Sequence, residues 1–561
     1  MASLSWKALL AAGTLAVIQG HAVASESHSA QLDKLIDAYI ESQREEGVAD
    51  PVFSPAGFEA ERQSRTALLQ ALKGIDPSRL DLALQIDHRF LVGVLESDIR
   101  TARAQRRWAN DPAMYLPARQ LGKLLDTASP AWSADQKQEL EQLLKRLPAS
   151  LAEARKSLQR PPSRFTREAI FQAHSTLEAM KKYAGIAVDE PNPAILETSI
   201  KVLEQHLVFL EQELAPRSDG NWAFGEENYN FILQRRWHMT ADAAEILARG
   251  RRAFEDTVAL ATEVSQRIDP EVHWTEVYER LKDNHPSAEN LKDAYQRPMD
   301  AARQFVRSRQ ILTLPDGERV ITLDTPAAMR RSSPFGTFQS VSPFDDGLEG
   351  RLYLTPVEDW MTESQKQNRL RSHHLAWTPV IAVHEAYPGH HAHFLKVREH
   401  PRILRRVARE SLFSEGWGLY TEELMFRWGF LQGDAVRLTQ LRNRLWRAAR
   451  VILDVSLHTG RMDFESAVNF LVEEVRFDRY AAELEVGMYI RRPTYVLGYL
   501  IGMQELEQLF ADWVSEHGEP DPPSEFFDRL LTVGAIPPAL ARAEILNKPL
   551  PQTGFSIEQN K

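Results

Sequence analysis

The 561-residue chain contains no cysteine. No disulfide can staple it, and no cysteine within it can carry a lipid anchor. It also has little that could span a bilayer, since its main apolar run, Ala8 to Ile18, is too short. Internal repeats and low-complexity tracts are absent. Positive charge is not in excess: the net charge is −11 and the pI is near 5.9, which argues against a nucleic-acid partner. The arginine-rich runs Arg100–Arg107 and Arg402–Arg409 are interleaved with apolar residues and read as solvated helix faces. What is present is an ordinary globular composition, 43% hydrophobic and 26% charged, with ample capacity for a large core.

The N-terminus reads as a secretory signal. Lys7 precedes the apolar run, and Ala22-Val23-Ala24 supplies the small residues that signal peptidase inspects. Cleavage is expected before Ser25, giving a periplasmic or secreted protein without a membrane anchor. Residues 25–561 are expected to form one mainly α-helical domain. Its N-terminal helical part runs to about 310, with inter-helix loops at Arg160–Ser163, Asp189–Pro193 and Pro216–Gly220. The texture changes over 311–356. Ile311–Leu314 and Val320–Leu323, separated by Pro315-Asp316-Gly317, predict a hairpin, and Phe338–Val341 and Arg351–Thr355 predict further strands. A second helical part, 368–561, follows. A deep cleft between the helical parts, with a small sheet beside the catalytic helix, is the expected architecture. The edge of that sheet would suit an extended peptide, by analogy only.

The chemistry concentrates at residues 384–393, His-Glu-Ala-Tyr-Pro-Gly-His-His-Ala-His. His-Glu followed by His on one helix is how zinc hydrolases draw two ligands and a general base from one element. The spacing here is unusual. His384 and His390 on an ideal helix would lie about 9 Å apart and about 240° around the axis. His391 would face correctly but sit roughly 10.5 Å away. Zinc bonded at about 2.0–2.1 Å does not bridge either gap. Pro388, however, has no N–H to offer the carbonyl of His384, and Gly389 is free of the Cβ restriction. A bulge at Tyr387-Pro388-Gly389 would return His390 to the side of His384. His391 remains a rival for the second ligand position, and His393 reads as packed or solvated.

Glu385 would project about 100° from His384 on a helix. From there it can take a proton from a zinc-activated water without being a ligand. Glu415, in Ser-Glu-Gly-Trp-Gly-Leu-Tyr, can complete a His₂Glu site with one open position. Glu422, seven residues on, either orients a ligating histidine or belongs to a structural pair. His458 lies four residues after Asp454 and could stabilise an oxyanion, as could Tyr489 and Tyr499; each reads equally well as a satisfied core residue. Arg491 and Arg492 either bind a substrate carboxylate or cap a helix.

These segments together resemble a known family. His384–His391, Glu415–Glu423, Asp454–His458 and Tyr489–Pro493 with Tyr499 and Gly502 are similar to the bacterial domain of unknown function 885 family, over about residues 30–545. That family is grouped with HExxH-type, gluzincin-like metallopeptidases. The resemblance implies His384, His390 and Glu415 as zinc ligands and Glu385 as general base. The chain departs from many relatives at His393 and Met488. The expectation is a zinc metallopeptidase acting on peptides. The alternatives are a zinc hydrolase of another amide or ester, or an inactive helical binding protein.

Overall fold

The computed structural model describes residues 27–48, 54–125, 134–184, 193–326, 330, 333, 335–344 and 346–550. The expected signal segment and its cleavage site lie outside the described residues. Among the described residues the architecture is mainly helical, with one three-stranded sheet. The chain divides into two compact units, Met1–Asn221 and Trp222–Lys561. Residues 222–310, grouped by the sequence reading with the N-terminal helical part, thus belong to the second unit. Among the described residues no helix is long and apolar enough to cross a membrane.

The first unit is helical. Its helix Ala134–Ser157 buries Leu140, Leu144, Leu147 and Leu151, the alternating steps of four and three that make one apolar stripe. The stripe shares a core with Ala169, Ala173 and Met180 of Ser163–Ala184 and with Leu196, Leu203 and Leu207 of Pro193–Val208. The Arg160–Ser163 punctuation falls between two of these helices, as expected.

The second unit holds every candidate site residue. Helix α1 (Ala243–Ile268) opens with a capping box between Asp242 and Glu245, which satisfies orphan backbone donors at its start. Helices α2 (Trp274–Leu281) and α3 (Leu291–Ser308) lead to strands β1 (Arg319–Asp324), β2 (Gly336–Gln339) and β3 (Glu349–Leu354). The strand order is β1-β3-β2, with β1 parallel and β2 antiparallel to β3. The predicted hairpin is absent: Ile311–Leu314 is not a strand. Ile311, Leu312 and Leu314 are buried in a connection instead, and the Thr313 N–H donates to Asp528 at 3.0 Å, away from any strand. The outer edge of β1 is also closed. The Gln296 side chain of α3 donates to the Val320 carbonyl at 2.9 Å and accepts from the Thr322 N–H at 3.0 Å. A peptide could not pair there without displacing it.

Helices α4 (Thr378–Glu385), α5 (His390–Val397), α6 (Ser411–Arg427), α7 (Asp434–His458), α8 (Arg479–Tyr489) and α9 (Leu500–His517) complete the frame of the site. Helix α7 runs along α1, and Gly250 lets them approach: a Cβ there would stand 2.7 Å from Val451. Gly416 and Gly502 do the same where α6 crosses α9.

Candidate metal centre

The two histidines meet because the helix that carries them is broken. Helix α4 ends at Glu385 and α5 begins at His390. Across the break, the Tyr387 N–H reaches the Ala382 carbonyl, five residues back. The Gly389 and Ala392 N–H groups reach Val383 and Ala386, each six back. An uninterrupted α-helix would use four. The extra residues are looped out as a bulge, and His384 and His390 stand with ring centroids 4.8 Å apart, edge to face. Gly389 is needed for the close return of the chain, because a Cβ there would lie 1.9 Å from the His384 carbonyl oxygen.

Each residue of Glu415-Gly416-Trp417-Gly418 has a part. Glu415 Oε2 lies 3.5 Å from His390 Nε2 and 3.9 Å from His384 Nε2. Gly416 permits the helix crossing. Trp417 donates its indole N–H to the Pro388 carbonyl at 2.9 Å, pinning the bulge. Gly418 leaves room for the His384 imidazole, since a Cβ there would be 2.7 Å from the ring. From below, Glu318, fully buried, accepts from Tyr387 Oη at 2.6 Å, His391 Nε2 at 3.3 Å and Arg303 Nε at 2.6 Å.

The donor set fits a divalent metal ion. Ligand atoms of His384, His390 and Glu415 all lie within 4.8 Å of one another. A tetrahedral zinc ion with bonds of about 2.0–2.1 Å holds its ligand atoms roughly 3.4 Å apart, so the two histidine–Glu415 distances of 3.5 and 3.9 Å need a contraction of only tenths of an ångström. His384 Nδ1 is bonded to Glu422 Oε1 at 2.9 Å, which turns Nε2 toward Glu415 with its lone pair available. Glu415 is held down at about 2. Burial alone would raise it, but the hydrogen bond from His390 and the charges of His390, His384 and Arg450 outweigh that.

The other predicted residues divide. Glu385 is half-buried, and its carboxylate has no hydrogen-bond partner among the described residues; its charge is felt by His390 and Tyr295. Burial, and then the charge of Glu415, raises the hydroxyl pKa of Tyr499 well above the ordinary value. His391 turns to Glu318, away from the ligand group. His393 is buried against Phe394 and Phe413. His458 is not brought to the centre: its Nε2 donates to the Tyr489 carbonyl at 3.0 Å and its Nδ1 accepts from the Phe224 N–H at 3.3 Å. Burial holds it neutral, at about 4. Asp454 instead serves Tyr229 and Thr494. Tyr489 donates to Glu485 at 2.7 Å. Arg492 stands 5.5 Å from the Tyr495 ring. Tyr495, which the sequence reading passed over, also feels the charge of Glu415.

A family described as "Bacterial protein of unknown function (DUF885)" matches residues 41–545. None of the curated proteins matches the chain. Two solved structures share the fold. One is described as a "putative lipoprotein of unknown function" from Shewanella oneidensis, with TM-score 0.75 and 18% identity, over 97% of this chain and 100% of that one. The other is a "putative lipoprotein" from Colwellia psychrerythraea, with TM-score 0.72 and 17% identity, over 93% and 99%.

Proposed function

We propose that this chain, which belongs to the bacterial DUF885 family of unknown function, is an exported zinc-dependent hydrolase that cleaves peptide bonds. One observation carries the reading: His384, His390 and Glu415 converge, with the carboxylate of Glu385 near enough for its charge to act on His390. A site that only held a metal would have no use for that extra base. When bound, zinc would polarise a scissile carbonyl and acidify water. Glu385 then accepts the proton at its carboxylate and passes it to the leaving amine. Tyr499 keeps its proton at neutral pH and can donate to the developing oxyanion. His458 and Tyr489 are committed elsewhere and hold the surrounding helices together.

The Ala22-Val23-Ala24 signal reading supports export. The lipid anchor suggested by the descriptions of the two similar structures is not available through cysteine here, because the 561 residues contain none.

A panel of blocked and unblocked peptides, incubated with and without chelator, tests the proposal. Chelator-sensitive cleavage, restored by zinc, is expected. Zinc-dependent cleavage of esters or non-peptide amides alone would replace the substrate class, and zinc binding without any turnover would leave a binding protein. A narrower expectation concerns Glu422. Glu422→Gln should weaken zinc binding roughly 10–100-fold, the usual cost of losing a partner that orients a ligating histidine. Competition against a chromogenic chelator measures this, and an unchanged affinity would reduce the His384–Glu422 contact to packing.

A further inference from the structure

Three arginines of α7 surround one indole. The guanidinium carbons of Arg442, Arg447 and Arg450 lie 5.8, 4.5 and 4.1 Å from the centroid of the Trp446 ring. Their exposures are 9, 6 and 5%, so all three are at least nine-tenths buried. Arg450 has a carboxylate, Glu485, at 3.1 Å. Arg442 and Arg447 have no carboxylate at ion-pair distance among the described residues. Arg447 makes one long contact, from Nη1 to the Asn443 carbonyl at 3.4 Å, and the Nε atoms of both arginines have no partner.

An arginine cannot shed its charge when buried, and a buried cation left unpaired is costly. Aromatic rings recover part of that cost. Arg442 is caged by Tyr278 at 5.5 Å and Phe477 at 4.9 Å, and Arg447 stands 5.7 Å from the Tyr499 ring. Rings do not, however, accept the paired in-plane N–H bonds that a carboxylate accepts. The carboxylate whose field reaches Arg447 is that of Glu422, and it already holds His384. The carboxylates on the Arg442 side, Glu279 and Asp283, are already paired with Lys282 and Arg371. Tyr499 links the cluster to the metal centre: Arg447 and Arg450 stand 5.7 and 4.6 Å from its ring, the charge of Glu415 reaches its hydroxyl, and the charge of Arg450 reaches Glu415.

We propose that Arg442 and Arg447 form a subsite for a carboxylate of the substrate, so that the enzyme selects acidic peptides. This deepens the hydrolase reading and rests on it for the word substrate. Two sources share the chemistry: a free C-terminus and an Asp or Glu side chain.

The test measures binding and so does not depend on turnover. N-acetyl tripeptides are titrated calorimetrically into the zinc-loaded Glu385→Gln protein in three forms: free acid, C-terminal amide, and C-terminal amide bearing one Glu. At least one carboxylate form should bind roughly 10–100-fold tighter than the neutral amide, the range for a charge-assisted hydrogen bond. Preference for the free acid assigns the C-terminus, and preference for the Glu-bearing amide assigns the side chain. Arg442→Met and Arg447→Met should each erase most of the preference, and Arg442→Lys and Arg447→Lys should keep part of it. Equal binding of all three forms, or no binding of any, overturns the subsite, and the comparison needs no arginine variant that could misfold. Cleavage of acids and amides at equal rates would sink this inference and leave the hydrolase reading intact. Selective binding in a protein that never cleaves would do the reverse.

Discussion

Glu385→Gln is expected to keep its zinc and its fold while peptide hydrolysis falls by roughly 10²–10⁴-fold, the range for a lost general base. Glutamine preserves size and hydrogen-bonding capacity but cannot take a proton. The native carboxylate has no protein partner among the described residues, so no structural bond is broken. KM should change little, because the missing interaction belongs to the transition state. The checks are steady-state kinetics and zinc content on the same sample. Near-wild-type turnover with zinc bound would remove Glu385 from the chemistry. Loss of zinc would make it a ligand, and the bulge would then have to be read differently.

Gly389→Ala is expected to cost both stability and metal. The added methyl would lie 1.9 Å from the His384 carbonyl oxygen and 2.3 Å from that of Val383. Both are backbone atoms and cannot swing aside. The chain can relieve the clash only by opening the bulge, which carries His390 away from His384. The loss should fall at the upper end for a single substitution, roughly 3–5 kcal/mol, read from denaturant unfolding with and without added zinc. If the variant unfolds like the wild type and retains zinc, the close return at Gly389 is not what brings the ligands together.

The bulge was legible because Pro388 and Gly389 are defined by what they lack: an N–H and a Cβ. Either absence is visible in a sequence, and the six-residue spacing of the histidines demanded an explanation. Glu415 was legible from its Gly-Trp-Gly surroundings, though the separate duties of those residues were not. Trp417 answers to Pro388, 29 residues away. Glu318, which anchors Tyr387 and His391, is about 70 residues from both. No local pattern announces a partner at such a distance. The same limit explains His458. Its spacing from Asp454 suggested a working pair, but its ring is held by the backbone of Phe224 and Tyr489. The apolar residues Ile311, Leu312 and Leu314 fit a buried connection as well as a strand, because burial, not pairing, is what such a pattern records. The unpaired arginines of α7 were invisible for the opposite reason: a missing partner can be noticed only once the neighbours are in place.

The account turns on whether His384, His390 and Glu415 hold a metal ion together, and zinc content per chain tests that most directly. After zinc-replete purification and removal of loosely bound metal, the wild type should retain about one zinc per chain, as a single three-ligand site requires. His390→Ala should retain almost none, and His391→Ala should retain it in full. Trace zinc in the wild type, with no rise on addition, would contradict the account. Loss from His391→Ala but not from His390→Ala would contradict the ligand assignment.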